Sequence, residues 1–313
     1  MAYTTGTFSG LTNLKTLIES AAVTAGWTLS SGWLSKGINN VSITATSTLL
    51  TITGANSSTG SVEPAGYNFY MGLLAGATVN AYHIVTNTNP EMVICVVQHD
   101  TNRVQMLMFG NLKKVNDSAY VGGNFFWASN EANCNTIYTS PYPYYYYSDV
   151  QDFAVTGGTY GIRVCYNKPG WAVPFCTKGT LGSNPAMGIH LKINSKIWNI
   201  DHTLINYTEE THAALSRSPN AYNGQAHLIP MNLHVLMASS LYEYIGYIEY
   251  IRFIRIDNYN LGDTITLGSD QWKVFPWCQK DVTNRNGTNN AGLSGGSTTA
   301  GTSGTFGFAI KIT

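Results

Sequence analysis

Apolar residues recur at every second position over much of this chain. The densest such run is Tyr244 to Lys280, reading YIGYIEYIRFIRIDNYNLGDTITLGSDQWKVFPWCQK. β-branched and aromatic residues at period 2 specify extended strands rather than a helical stripe. Strict alternation puts Ile248, Tyr250, Arg252, Ile254 and Ile256 on one face, and Glu249, Ile251, Phe253, Arg255 and Asp257 on the other. Each face therefore carries charge within an apolar row. That pattern predicts a sheet packed on both sides, with each guanidinium at an edge or paired. Turn chemistry at Asp257-Asn258, Asn260 to Asp263 and Gly268 to Asp270 separates this strand from Thr264 to Leu267 and Trp272 to Trp277. The three strands are expected to form a β-meander.

Towards the N-terminus the period changes once. Leu11, Leu14, Ile18 and Ala22 share a face at helical spacing, widened by Leu17, Ala21 and Ala25. This predicts a packing helix over 9–25, with Ser9 as N-cap and Gly26 as the stop. Trp27 follows at once and is expected to pin the helix to a sheet. Short strands are then predicted at Trp27 to Leu29, Trp33 to Gly37, Val41 to Ala45, Leu49 to Thr53 and Tyr67 to Leu74. Stronger ones are His83 to Val85, Met92 to Gln98 and Val104 to Gly110, with turns at Asn87 to Pro90 and His99 to Asn102. Closely spaced strands with turn signals between them indicate an antiparallel sandwich or barrel.

The middle of the chain reads differently. Gly122 to Tyr160 holds Phe125-Phe126-Trp127 and the run Pro141-Tyr142-Pro143-Tyr144-Tyr145-Tyr146-Tyr147. Four consecutive tyrosines cannot all point inward, and a tyrosine can bury its ring while its hydroxyl stays wet. Tyr142, Tyr144, Tyr145, Tyr146, Tyr147 and Trp127 are therefore a candidate contact surface; the plainer reading is an aromatic loop covering the sheet. Strands are expected at Tyr160 to Tyr166, Trp171 to Cys176 and Ile189 to Ile193, and weak helical character over Thr203 to Ala214. His227 to Met237 is an apolar strand whose Pro230 makes it an edge or bulged strand. Asn284 to Ser303 is nearly pure Asn, Gly, Thr and Ser, an exposed loop inserted before a closing strand at Phe306 to Ile312. The expected fold is mainly β, with antiparallel β-sandwich-like regions and a short N-terminal helix. Residues 1–150 would form an N-terminal β-rich domain and 151–313 a C-terminal sandwich-like domain, with the boundary near Tyr147 to Gly158.

Composition narrows the function. Only 11% of the 313 residues are charged and the formal net charge is zero, against about 25% charged in ordinary soluble domains. A free monomer with so little charge tends to associate, which suits a subunit buried in an assembly. No basic patch is available to neutralise phosphates, which argues against nucleic-acid binding. The N-terminus lacks a basic region followed by an apolar core, so no secretory leader is expected. No apolar run reaches the ~18–20 residues of a membrane span. The five cysteines, Cys95, Cys134, Cys165, Cys176 and Cys278, form no CxxC. They read as thiols, although Cys165 and Cys176 could face each other across a hairpin.

Two stretches carry a resemblance. RIDNYNLGDTITLGSDQWKVFPWCQK with the closing GTFGFAIKI resembles a group of tailed-bacteriophage virion proteins, known as tail, baseplate or structural proteins. The opening MAYTTGTFSGLTNLKTLIESAAVTAGWTL looks like the start of the same group. The resemblance implies a place in the virion tail after assembly in the host cytoplasm. The partners it implies are other tail and baseplate proteins and further copies of this chain in three- or six-fold symmetry. It implies no catalytic motif and no cofactor. A peripheral module binding a receptor, a host surface glycan or a tail fibre is the alternative, as is attachment at the collar or head.

Catalytic and metal constellations find little support. Gly292 to Gly296 matches G-x-S-x-G, but a nucleophile elbow needs a strand before it and a helix after it, and the flanks here are low-complexity. The seven histidines, His83, His99, His190, His202, His212, His227 and His234, show no H-x-x-x-H or H-x-H spacing. Glu209 and Glu210 are adjacent and so cannot face each other across a glycan. Asp257 and Asp263 flank a turn and are expected to cap it. The chain is therefore expected not to be an enzyme.

Overall fold

The computed structural model describes residues 1–37, 39–47, 49–55, 68–72, 81–98, 104–114, 121–128, 130–131, 188–193, 196–199, 204–205, 227–238, 241–276, 280 and 306–313. The chain opens with strand β1 (Ala2–Gly6) and helix α1 (Leu11–Thr24). Then come β2 (Thr28–Ser30), β3 (Trp33–Lys36), β4 (Asn39–Ala45), β5 (Leu49–Ala55) and β6 (Asn68–Gly72). Next are β7 (Ala81–Thr88), β8 (Glu91–Gln98), β9 (Val104–Asn111), β10 (Lys113–Lys114), β11 (Val121–Ala128) and β12 (Asn130–Glu131). Beyond them lie β13 (Gly188–Ile193), β14 (Lys196–Asn199), β15 (Leu204–Ile205) and β16 (Ile229–Ala238). The last four are β17 (Leu241–Arg255), β18 (Thr264–Leu267), β19 (Asp270–Pro276) and β20 (Phe306–Lys311).

These strands make three antiparallel sheets among the described residues. The first runs β1-β7-β8-β9-β11-β13-β14, the second β15-β16-β17-β20-β19-β18 with β10 beside β17, and the third β12-β6-β5-β4-β3-β2. The fold is mainly β with one helix near the N-terminus, as the residue pattern indicates. Strands from both sides of position 150 pair in the first sheet, β11 with β13. The boundary expected near Tyr147 to Gly158 lies outside the described residues, as do the strands expected at Tyr160 to Tyr166 and Trp171 to Cys176 and the loop 284–303. Of the helix expected over Thr203 to Ala214, only Leu204 and Ile205 are described, and they form β15.

The first sheet is the middle layer. In β7, β8 and β9 nearly every residue is buried, on both faces. Their central runs MVICVV and MLMFG are continuously apolar rather than alternating, because neither face meets water. The third sheet alternates instead. Val41, Ile43, Leu50 and Ile52 are buried, while Ser42, Thr44, Thr51 and Thr53 between them are more exposed, the mark of a sheet with one covered face.

The helix joins these two sheets. It packs against β4, β5 and β7 through Leu11, Leu14, Ile18 and Ala22, all at most 1% exposed. Trp27 is buried and meets Phe109 of β9 edge-on, with ring centroids 5.1 Å apart. The end of the helix follows from Gly26. Its φ of 88° is left-handed; its N–H bonds to Val23 O at 2.9 Å, and Trp27 N–H bonds to Ala22 O at 3.1 Å. This is a Schellman motif, which needs a residue tolerant of positive φ at that place. Lys36 Nζ adds a 2.6 Å bond to Ala25 O at the negative end of the helix dipole. At the other end, Ser9 is not the cap. Gly10 takes that position with no side-chain bond, and Ser9 N–H donates to Asn13 Oδ1 at 3.2 Å.

The second sheet covers the opposite face of the first. Phe253, Phe308 and Phe275 stand directly opposite one another on β17, β20 and β19, and all three are fully buried in the larger core cluster. Phe275 also lies 5.1 Å from the ring of His83 on β7. The meander expected from Tyr244 to Lys280 is not formed. β20 inserts between β17 and β19, and only β18 and β19 make a hairpin. β20 offers Phe308, Ala309 and Ile310, all fully buried, so both of its faces fit the centre of a sheet. β18 is half exposed and suits the rim.

Gly110 shows how tightly β8 and β9 approach. Its φ is 142°, and a Cβ there would overlap Glu91 O and Met92 Cα. Gly110→Ala is expected to lower stability by about 2–4 kcal/mol, combining backbone strain with overpacking. Gly32→Ala, at φ 80° in open space, should lose only about 1 kcal/mol. Urea denaturation of both variants checks this, and equal losses would show that β8 yields to the added methyl group.

Candidate interaction surface

The described ends of the three sheets differ. β14 reads KIWN and β12 reads NE, each with one charged residue, and β15 reads LI. The opposite ends, β1 (AYTTG), β2 (TLS) and β18 (TITL), are short and uncharged. Among the described residues no further strand pairs with their outer edges. An open edge presents unpaired N–H and C=O groups, and lysine or proline placed on it usually blocks pairing with other chains. None of β1, β2 and β18 carries either residue.

β2 adds apolar surface to its edge. Leu29 stands directly opposite Leu34 of β3, so the two share a face. Leu34 is 1% exposed and Leu29 is 43% exposed. The covered face of the third sheet therefore runs out to an uncovered leucine at its rim. Val23, in the last turn of α1, is 46% exposed.

Buried charge in the second sheet is structural. Sheet pairing skips residues of β17, since Pro230 pairs with Arg252 but Met231 pairs with Ile248. This bulge breaks the alternation. Ile248 joins Ile251 and Phe253 in the larger core, whereas Ile254 and Ile256 form a second cluster with Ile265, Trp272, Val274 and Ala309. Strict period 2 had put Ile248 with Ile254 and Ile256. The carbonyls freed by the bulge need donors, and Arg252 supplies them. Its Nη1 donates to Ile248 O at 3.2 Å, to Ile251 O at 2.8 Å and to Glu249 O. Its guanidinium lies over the rings of Tyr247 and Trp272, 5.3 and 5.2 Å from their centroids. Arg255 pairs with Asp257, Nε to Oδ2 at 2.7 Å. Both arginines are thus partnered in a sheet with apolar clusters on its two faces. Asp263 accepts a 2.6 Å bond from Asn260 N–H across the turn, and the buried Lys280 donates to Ile256 O at 2.5 Å and to Tyr259 O.

His83 is a buried titratable group of the first sheet, and burial with nearby Lys273 lowers its pKa to about 4. Burial pushes the Cys95 thiol well above its usual range, so it is inert in the folded chain. His227 is exposed. Among the described residues no group of three or more His, Cys, Asp or Glu is placed to hold a metal ion, and no helix is long and apolar enough to cross a membrane. Of the expected contact residues, Trp127 lies on β11 opposite Met108. Tyr142, Tyr144, Tyr145, Tyr146 and Tyr147 lie outside the described residues, as do Glu209, Glu210 and Gly292 to Gly296. β1 carried little sequence signal, because AYTTG is too short and polar to show a period, whereas β2 and β18 were expected as strands at Trp27 to Leu29 and Thr264 to Leu267.

A scan against protein-family models finds no match for this chain, and a comparison with curated proteins finds none either.

Replacing the donors at the bulge is the direct check on Arg252. Arg252→Met should lower stability by about 2–4 kcal/mol, since three carbonyls lose their partner. Arg252→Lys should cost less, because the ammonium keeps three donors. Equal losses in denaturant titrations would mean that the stem, not the head group, supports the bulge.

Proposed function

We propose that this chain is a structural, non-catalytic subunit of a bacteriophage virion, in the tail baseplate or tail-tip region. It acts through protein–protein contacts with other tail proteins and with further copies of itself in a symmetric assembly. The observation that carries the assembly role is the set of uncharged edges β1, β2 and β18, which no further strand covers among the described residues. Such edges accept strands or flat surfaces from neighbours. A chain with 11% charged residues and zero net charge gains little from remaining free in solution. The virion placement rests on the sequence resemblance. The stretches that carry it form β1, α1 and the start of β2 at one end of the chain, and β18, β19 and β20 beside β17 at the other.

Immunogold labelling of intact particles with an antibody to this chain tests the placement. Label at the distal end of the tail is the expected result. Label at the neck or capsid would transfer the role to the collar or head, and particles free of the chain would overturn the virion reading. The edge argument has its own check. Leu29→Lys should leave the thermal unfolding midpoint within about 2 °C, a surface-level effect, while reducing incorporation of the chain into particles.

A further inference from the structure

We propose that His83 is a protonation-sensitive latch that holds the N-terminal edge strand β1 on β7, and that its protonation releases β1 and opens the edge of β7. This stands on the geometry of one side chain at the junction of three strands, independently of the virion reading. β1 is held to β7 by five residue pairs, Ala2 with Thr86 through Gly6 with Tyr82. Its side-chain bonds to β7 converge on His83 and its neighbour. Tyr3 Oη lies 2.7 Å from His83 Nδ1 and Thr5 Oγ1 lies 3.2 Å from it. Thr5 gives its own proton to Tyr82 O at 2.7 Å. Tyr3 Oη is the nearer partner and can give its hydroxyl proton to Nδ1 of a neutral ring, a bond that a protonated Nδ1 can no longer accept.

The surroundings oppose a positive ring. The Tyr3 ring lies parallel to it with centroids 6.1 Å apart and Phe275 of β19 lies 5.1 Å away, so the imidazole is surrounded by rings rather than water. Lys273, two residues before Phe275 on the same strand, adds a like charge, and the Gln98 side chain on β8 works weakly the other way. Among the described residues no carboxylate acts on the ring. His83 is 6% exposed, so a charge on it is uncompensated while β1 is in place. β1 is an edge strand of five residues, three of them exposed, and lifting it brings water to the ring.

The sign follows from the pKa, about 4 in the folded chain against 6.5 for a free histidine. The open form binds the proton more tightly, so closure is favoured above pH 6.5 and is lost as the pH falls towards 4. Those two values give an opening constant about 20-fold larger at pH 5 than at pH 7. Hydrogen exchange of the full chain, corrected for intrinsic rates, reads this at the amides of β1. The expected result is a loss of protection of about that size between pH 7 and pH 5, with β8 still protected. In His83→Gln the protection of β1 should not change over this range. The NMR titration of His83 in the unmodified chain supplies a readout that needs no variant, and its midpoint should lie below pH 5. Protection of β1 that persists to pH 4, loss of protection that survives in His83→Gln, or a His83 midpoint near 6.5 would each overturn the proposal.

Discussion

The structure depends on a sheet that water reaches on neither face. β7, β8 and β9 bury their side chains above and below, and each fully buried aliphatic side chain contributes about 1.5–3 kcal/mol relative to exposure. A sheet of this kind cannot form without cover on both sides. The helix and the third sheet supply one cover, with Trp27 against Phe109. The second sheet supplies the other, with Phe275 against His83. Helix packing, the phenylalanine row and the place of the C-terminal strand are consequences of that requirement.

Three layers at close range need local departures from ideal strands. Gly110 lets the backbone of β9 approach the start of β8. The bulge in β17 turns Ile248 towards the middle layer while Ile254 and Ile256 face away. A bulge frees backbone acceptors, and a buried acceptor without a donor costs about 1–3 kcal/mol. Arg252 offsets that cost with a side chain whose stem and ring contacts belong to the apolar cluster. An arginine in an apolar row is therefore the sign of a defect in the ladder, where composition alone reads it as a misplaced charge.

Much of this was legible in the residues. The runs VSITA, LLTIT and MVICVV read as strands, and the turn signals between neighbouring runs as antiparallel pairing. The helix, its glycine stop and the bulge at Pro230 also follow from local chemistry. What was not legible is long-range order. Nothing local in Phe306 to Lys311 says that it inserts between strands more than 25 residues upstream. The strand order β17-β20-β19-β18 is decided by which strand can be buried on both faces. Strand β1 escaped for the opposite reason. AYTTG has too few apolar residues to show a period, and its pairing with β7 comes from backbone bonds and the bonds to His83 and Tyr82. The tyrosine run was legible as a contact surface by composition alone, and it lies outside the described residues.

The doubly covered middle places the stability of the chain inside, and the uncharged edges β1, β2 and β18 are where the proposed assembly role would act. The central physical claim is the double cover, and neighbouring residues on β9 test it directly. Leu107 and Met108 point to opposite faces and are both fully buried. Equilibrium unfolding of Leu107→Ala and Met108→Ala should show losses of about 2–5 kcal/mol for each, the cost of a buried large-to-small change. A loss below about 0.5 kcal/mol for either variant, the range of surface substitutions, would mean that one face of the sheet is open and would contradict the three-layer account.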